Sequence, residues 1–319
     1  MKILFHANTL NYRGTSVAVA DYARYNQEIL GNESVIAYCK TNGQEKDMGN
    51  EPAVIEALEK EFQVIGYRSG DIEKKVEQNN IDVAYMISSG RKQTTDVPSN
   101  CKTAIHAVFQ FYEPYGDCYA YISEWLSKHM TNGKSPFVPH IVNLPTPNKN
   151  FRTHLGIRED QTVIGRIGGY YTFDIPFVKT VIENIVRETD QFVFLFVGTE
   201  PFLNHPQVKF INELHDPQKK SNFIETCDAM LHARQRGESF GLSIAEFLSL
   251  NKPVLAWNNG HDRNHLDMLK DSGTLYNDSV DLKDMLFQVR SYNRQEDWTK
   301  RVEGFKPQPV MNMFKEIFL

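Results

Sequence analysis

At 319 residues, with 41% hydrophobic and 12% aromatic residues, the chain has the length of about two domains and enough apolar material for sizeable cores. A net charge of −5 without a basic run argues against nucleic acid and against a strongly cationic membrane patch, and no apolar run approaches the length of a membrane span. The four cysteines, Cys39, Cys101, Cys118 and Cys227, lack metal-ligand spacing and fit reduced thiols in a cytoplasmic protein, while the opening Met1-Lys2-Ile3-Leu4-Phe5 turns polar too soon for a signal peptide.

Residues 3–7 read as a buried strand, 11–16 as a loop and 17–29 as a helix. Strand, glycine loop, helix is the opening of a nucleotide-binding α/β domain. The loop Asn11-Tyr12-Arg13-Gly14-Thr15-Ser16 is not G-x-G-x-x-G, which counts against a dinucleotide. Strands follow at 34–38, 64–67 and 81–87, with helices at 53–62 and 71–79, and this alternation predicts a parallel sheet. The next strand, 103–109, carries His106 near its carboxyl end, where open α/β sheets place their ligands; a lone histidine in an apolar strand is also often a satisfied core residue. Tyr112-Glu113-Pro114-Tyr115 fits an acceptor lining or a surface turn equally. A strand at 119–123 and a helix at 124–132 precede a stretch at 138–150 that, with Pro139, Pro145 and Pro147, reads as an interdomain linker.

In the second half, residues 162–167 form a strand running into Gly165-Arg166-Ile167-Gly168-Gly169. A helix at 177–187, strands at 192–198 and 208–211, a helix at 222–227 and a strand at 229–232 lead into Arg234-Gln235-Arg236-Gly237-Glu238-Ser239-Phe240-Gly241-Leu242-Ser243-Ile244-Ala245-Glu246-Phe247-Leu248. Gly237 and Gly241 permit a tight turn and close backbone approach to a ligand. Ser239 reads as the N-cap of a mostly buried helix. The N–H groups of Phe240, Gly241 and Leu242 and the positive helix end then form an anion site, most often for phosphate. Glu238 and Glu246 bracket it. A carboxylate there repels phosphate unless it binds something else, and sugar hydroxyls are its natural donors. The pattern therefore suits a nucleotide-sugar. A strand at 253–257, helices at 266–270 and 282–289 and an amphipathic helix at 309–318 complete the chain. His261-Asp262-Arg263-Asn264-His265 matches no metal-ligand spacing and reads as a polar loop near the nucleotide.

Glu238 and Glu246, with seven residues between them, Gly-Glu-Ser-Phe-Gly in front and Asn251-Lys252-Pro253-Val254-Leu255-Ala256 behind, resemble the E-x7-E motif of retaining GT-B glycosyltransferases, especially glycosyltransferase family 4. The resemblance implies that Glu238 contacts the donor sugar and Glu246 the ribose. Gly14 matches the second glycine of that family's first βα loop, with Arg13 in place of the first. His106 matches a histidine that lies near the reacting sugar, and Arg166 an arginine that holds the leaving diphosphate. The family's lysine about five residues further on has no counterpart in Tyr170-Tyr171-Thr172-Phe173-Asp174, which leaves phosphate neutralisation to Arg166, the helix start or a residue from elsewhere.

The fold expected is α/β, with two Rossmann-like domains carrying parallel sheets that face one another across a cleft. Residues 1–145, joined by the last helix, 309–319, form the acceptor side, and 146–308 the nucleotide-sugar side. The function the resemblance implies is transfer of a hexose from a nucleoside-diphosphate sugar to an acceptor hydroxyl on a saccharide, lipid or protein. Retention of configuration, no cofactor and no metal are part of that expectation, as is a cytoplasmic protein, soluble or peripheral to a membrane. The catalytic candidates are His106, Glu238 and Arg166. The donor-binding candidates are Gly14, Arg166, Glu238, Ser239, Phe240, Gly241, Leu242 and Glu246. A nucleotide-sugar epimerase on the same fold and a non-catalytic nucleotide-sugar-binding module are the rival readings.

Overall fold

Both parts of the chain repeat one local plan: a short apolar strand, then a helix that folds back over it. Parallel strands in such a plan are covered on both faces, so they are apolar throughout rather than alternating. Val83–Ser88 and Phe192–Val197 are buried at every position.

The computed structural model describes residues 1–41, 49–212, 214–292 and 295–319. Met1–Ile141 with Phe305–Leu319 form one compact unit, and Val142–Gly304 a second. The boundaries expected after residues 145 and 308 thus fall slightly earlier. Val138 donates its N–H to Tyr121 O at 2.8 Å and Tyr121 donates to Pro136 O at 3.0 Å, so this part of the expected linker extends the edge of the first sheet.

The first unit runs β1 (Lys2–Ala7), α1 (Gly14–Glu28), β2 (Glu33–Thr41), α2 (Pro52–Leu58), β3 (Gln63–Arg68), α3 (Ile72–Gln78), β4 (Val83–Ser88), β5 (Lys102–Ala107), β6 (Cys118–Tyr121) and α4 (Glu124–Thr131). Its six strands pair in the order β3-β2-β1-β4-β5-β6, all parallel. The chain leaves β1 on one side and returns to the other for β4. That reversal is a topological switch point, beyond whose carboxyl strand ends open α/β sheets bind ligands.

The second unit runs β7 (Thr162–Ile167), α5 (Pro176–Glu188), β8 (Phe192–Val197), β9 (Val208–Ile211), α6 (Pro217–Thr226), β10 (Ala229–His232), β11 (Gly237–Glu238), α7 (Leu242–Ser249), β12 (Val254–Trp257), β13 (Asp262–Arg263), α8 (Asn264–Met268), β14 (Leu275–Tyr276) and α9 (Ser279–Tyr292). The parallel order is β14-β12-β10-β7-β8-β9, with the switch point between β7 and β10, and β11 pairs separately with β13. α6 begins five residues before the expected helix. Asp216 caps it by accepting from the N–H groups of Gln218 and Lys219, and Pro217 occupies the first turn, where its missing N–H is harmless.

After a 3-10 helix at Trp298–Phe305, the last helix α10 (Pro307–Phe318) packs in the first unit. The Phe314 ring lies 6.0 Å from Phe5, 5.3 Å from Tyr22 and 5.2 Å from Tyr85. Phe318 stands edge-on to His106 at 5.3 Å. Aromatic contacts of this kind add to the area they bury, and they make α10 part of the first core. Among the described residues no helix is long and apolar enough to cross a membrane.

Candidate functional site

The switch point of the second sheet gathers most of the residues singled out in the sequence. β10 lies beside β7 in a register that pairs Met230 with Gly165, which brings the residues after His232 next to the residues after Ile167. The two loops are tied directly: Asp174 donates its N–H to Ala233 O at 3.1 Å, and Gln235 N–H donates to Asp174 Oδ1 at 2.7 Å. An open depression of about 490 Å³ lies here among Asp174, Gln235, Arg236 and His261.

Gly237 sets the course of the chain beyond β10. Its φ is +76°, and a Cβ there would stand 2.0 Å from Asp262 O, so only glycine lets β11 lie against β13. Pairing of Gly237 with Asp262 and of Glu238 with Arg263 then sets the direction of Glu238. The Glu238 carboxylate is held on both oxygens. His232 Nε2 lies 3.3 Å from Oε1, and Arg234 donates to Oε2 at 2.9 Å. Burial pushes this carboxyl up, but the His232 hydrogen bond and the Arg234 charge oppose burial, and the carboxyl is held below the usual carboxylate range. His265, fully buried on α8, lies 5.0 Å from His232 ring to ring and is lowered to about 4 by burial and by His232, so it is neutral.

Ser239 does not cap the helix. α7 starts at Leu242, and its N-cap is Gly241 in the left-handed conformation, φ +94°. A serine side chain cannot substitute for a backbone that must turn through that region, and Gly241 is where the turn falls. The first intrahelical bond runs from Ala245 N–H to Gly241 O at 3.0 Å. The N–H groups of Leu242, Ser243 and Ile244 precede it, so the free N–H groups of the helix start lie two residues along from Phe240, Gly241 and Leu242. Phe240 is instead buried, with its carbonyl accepting from Asn264 Nδ2 at 2.7 Å.

Glu246, on α7, is buried and pairs through Oε1 with Lys220 Nζ at 2.7 Å. Lys220 stands on α6, where the Asp216 cap places it. Oε2 of Glu246 makes no hydrogen bond among the described residues and is the open acceptor of this carboxylate.

Arg166 is buried at the end of β7, with both terminal nitrogens doubly engaged. Nη1 donates to Gly198 O and to Thr199 Oγ1, and Nη2 donates to Gly169 O at 3.1 Å and Thr172 Oγ1 at 2.7 Å. Burial lowers its pKa to about 10, with Arg234 adding to the fall and Glu238 and Asp174 opposing it, so it remains cationic at neutral pH. Arg166 is buried and, through these bonds, pins the β7 and β8 loops.

His106 is corrected as well. It is wholly buried, Nδ1 pairs with Tyr85 Oη at 2.6 Å, and Nε2 meets Val138 O at 2.9 Å and Tyr121 O at 3.2 Å. Burial lowers it to about 4. These contacts make it a core residue of the first unit rather than one facing a sugar. Gly14 is exposed as the first residue of α1, beyond β1 at the first unit's switch point. The stretch 261–265 is not a uniform polar loop either, since His265 lies in the core and Asp262, buried, pairs with Arg236 at 2.7 Å.

Three candidates escaped the sequence reading, His232, Arg234 and Lys220, and His265 was read only as part of a polar loop. His232 ends a strand, so the argument applied to His106 fits it better. Arg234 lay within the motif without a family role. Lys220 and His265 reach the site only through tertiary packing.

No known protein-family profile and no curated protein matches the chain. Solved structures do. HepE of Anabaena in complex with UDP and glucose superposes with a TM-score of 0.70 at 15% identity, over 99% of this chain and 98% of that one. TarM of S. aureus, a variant in complex with fondaparinux, alpha-GlcNAc-glycerol and UDP, gives 0.69 at 10% identity, over 100% and 99%. The fold is GT-B. A putative UDP-N-acetylglucosamine 2-epimerase from Listeria monocytogenes shares it less closely, with 0.60 at 12% identity over 98% and 94%.

Proposed function

We propose that the protein is a glycosyltransferase that moves a hexose from a nucleoside-diphosphate sugar, most simply a UDP-sugar, to an acceptor hydroxyl. The observation that carries this reading is the pair of glutamates at the β7/β10 switch point. Glu238 stands just before α7, and Glu246 lies inside it with one oxygen fixed by Lys220 and the other open. Glu246 Oε2 accepts from the ribose hydroxyls. The diphosphate meets the N–H groups of Leu242, Ser243 and Ile244 and the field of Arg166, and Glu238 takes hydroxyls of the sugar.

The chemistry asked of these groups is charge stabilisation. As the glycosidic bond breaks, negative charge grows on the departing diphosphate, and preorganised N–H groups and a buried guanidinium stabilise it. We propose retention and no metal requirement on the same footing, and assign no protein base. UDP in the HepE and TarM complexes supports uridine as the first base to test.

The epimerase reading is favoured by one observation, the Listeria neighbour on the same fold. The two are separated by incubating the protein with a panel of UDP-, GDP- and ADP-sugars plus mixed saccharide acceptors. Release of free nucleoside diphosphate with a glycosylated product supports the transferase. Epimerised nucleotide-sugar without release overturns it, and calorimetric binding of no member of the panel removes the donor site altogether.

A further inference from the structure

We propose that Arg234 is the second phosphate-binding cation of the donor site, and that Glu238 holds it until a diphosphate draws it away. The inference rests on the nucleotide-sugar reading above and deepens it, because it names a residue for the role left open by the missing lysine.

The need comes from the state of Arg166. Both N–H groups of each of its terminal nitrogens are already given to Gly198 O, Thr199, Gly169 O and Thr172. It contributes a field at the switch point, but few free donors. A diphosphate entering a partly buried site needs charge-assisted hydrogen bonds to replace its water, and an arginine fork supplies two at once.

Arg234 is placed to give them. Its backbone is clamped on both sides, since Ala233 O accepts from Asp174 and Gln235 N–H is bound by the Asp174 carboxylate. The side chain is the movable part: it is 32% exposed, and among the described residues its hydrogen-bond and ion-pair partner is Glu238 alone. It belongs to the same group of charges as Arg166, Asp174 and Glu238, and it acts on Arg166 as a like charge. Two guanidinium groups brought together at one switch point repel, and an anion between them relieves that repulsion.

The same geometry gives Glu238 two states. With Oε1 on His232 and Oε2 on Arg234, each oxygen already accepts one hydrogen bond and has reduced capacity for a sugar hydroxyl. When Arg234 turns to the diphosphate, Oε2 is released. Binding the diphosphate therefore prepares the carboxylate that receives the sugar, and a nucleoside monophosphate, lacking the outer phosphate, does not.

Calorimetric titration of the full chain with UDP and with UMP tests this, using Arg234→Gln, Arg234→Lys, Glu238→Gln and Glu246→Gln. Arg234→Gln should weaken UDP about ten- to hundredfold while changing UMP less than about threefold, as expected for loss of charge-assisted bonds to one phosphate. Arg234→Lys should recover part of the UDP affinity. Glu238→Gln should bind UDP more tightly than wild type, because the competing carboxylate charge is gone. An arginine that merely orients Glu238 predicts no loss of UDP affinity in Arg234→Gln, because UDP carries no sugar for Glu238 to receive. If Arg234→Gln leaves UDP affinity unchanged while Glu246→Gln lowers it, Arg234 is not a phosphate ligand although the donor site stands. If wild type binds neither UDP, GDP nor ADP, the nucleotide-sugar reading fails and this inference with it.

Discussion

Glu246→Gln tests the ribose assignment with the smallest change of shape. The Glu246 side chain is 7% exposed and its partner Lys220 16%, so the pair is largely out of water. The substitution keeps the volume and removes the charge, with two separable effects. For stability, the Lys220 ammonium loses its counter-charge. Breaking a fully buried pair costs about 3–5 kcal/mol, and the residual exposure of Lys220 reduces this to about 1–3 kcal/mol. For binding, Glu246 Oε2 is the oxygen open to a hydroxyl. A hydrogen bond to a charged acceptor is worth about 1.5–3 kcal/mol against about 0.5–1.5 kcal/mol for a neutral one. The difference, about 1–2 kcal/mol per bond, corresponds to a five- to thirtyfold weaker nucleotide for each hydroxyl accepted. Urea unfolding measures the first effect and calorimetry with UDP the second. A variant that loses stability as expected but binds UDP within twofold of wild type would show that Glu246 serves α6 and α7 alone, and the ribose assignment would be wrong.

Arg166→Ala should lower turnover about 10²–10³-fold through loss of transition-state charge stabilisation, and should also destabilise the second unit by about 1–3 kcal/mol because Gly169 O and Gly198 O lose their donor; steady-state release of nucleoside diphosphate near the wild-type rate would refute the first part. His106→Ala should cost about 2–4 kcal/mol of stability, by cavity formation and by leaving Tyr85 Oη and Val138 O unpaired, with unchanged UDP affinity by calorimetry. Acidification should unfold the first unit before the second. His6 and His106 are held at about 4 and His140 at about 3, mainly by burial, all in the first unit, against His265 at about 4 in the second. Their folded pKa values lie below the unfolded value near 6.5, so the unfolded state binds more protons. The stability they contribute is complete above pH 6.5 and is lost as pH falls toward about 4, by about 1.4 kcal/mol per pH unit for each histidine. Unit-resolved hydrogen exchange between pH 6.5 and 4.5 checks the order, and simultaneous opening of both units would contradict it.

The alternation of apolar strands and helices made both sheets readable, because the central strands of a parallel sheet are covered on both faces and read as apolar runs. β11 and β13, two residues each, were not readable, since a pattern needs more positions than they have. In the site, Glu238 and Glu246 were legible because one local segment carries both. The errors arose where tertiary neighbours decide. Strand-end position nominated His106, but Tyr85, Tyr121 and Val138 close around it from three separate segments. Ser239 has the side chain of a cap, yet the backbone turn falls at Gly241, where only φ decides. The Lys220–Glu246 pair joins two helices across 26 residues, and no local spacing announces it.

The second switch point also explains why its charges can coexist. A buried arginine is costly unless its donors are satisfied, and Arg166 is satisfied by carbonyls and hydroxyls rather than by a carboxylate, so its positive field is left uncancelled by direct pairing. Glu238 is the carboxylate that acts most strongly on it, but His232 and Arg234 already engage both its oxygens. Asp174, the other carboxylate acting on Arg166, is turned to the N–H of Gln235. Each acid is thus held by a partner of its own, and the Arg166 charge is left without a direct carboxylate partner. Keeping them apart makes sense where an anion is to arrive, since its charge then meets two guanidinium groups and the amides of Leu242, Ser243 and Ile244 without first displacing a buried ion pair from Arg166.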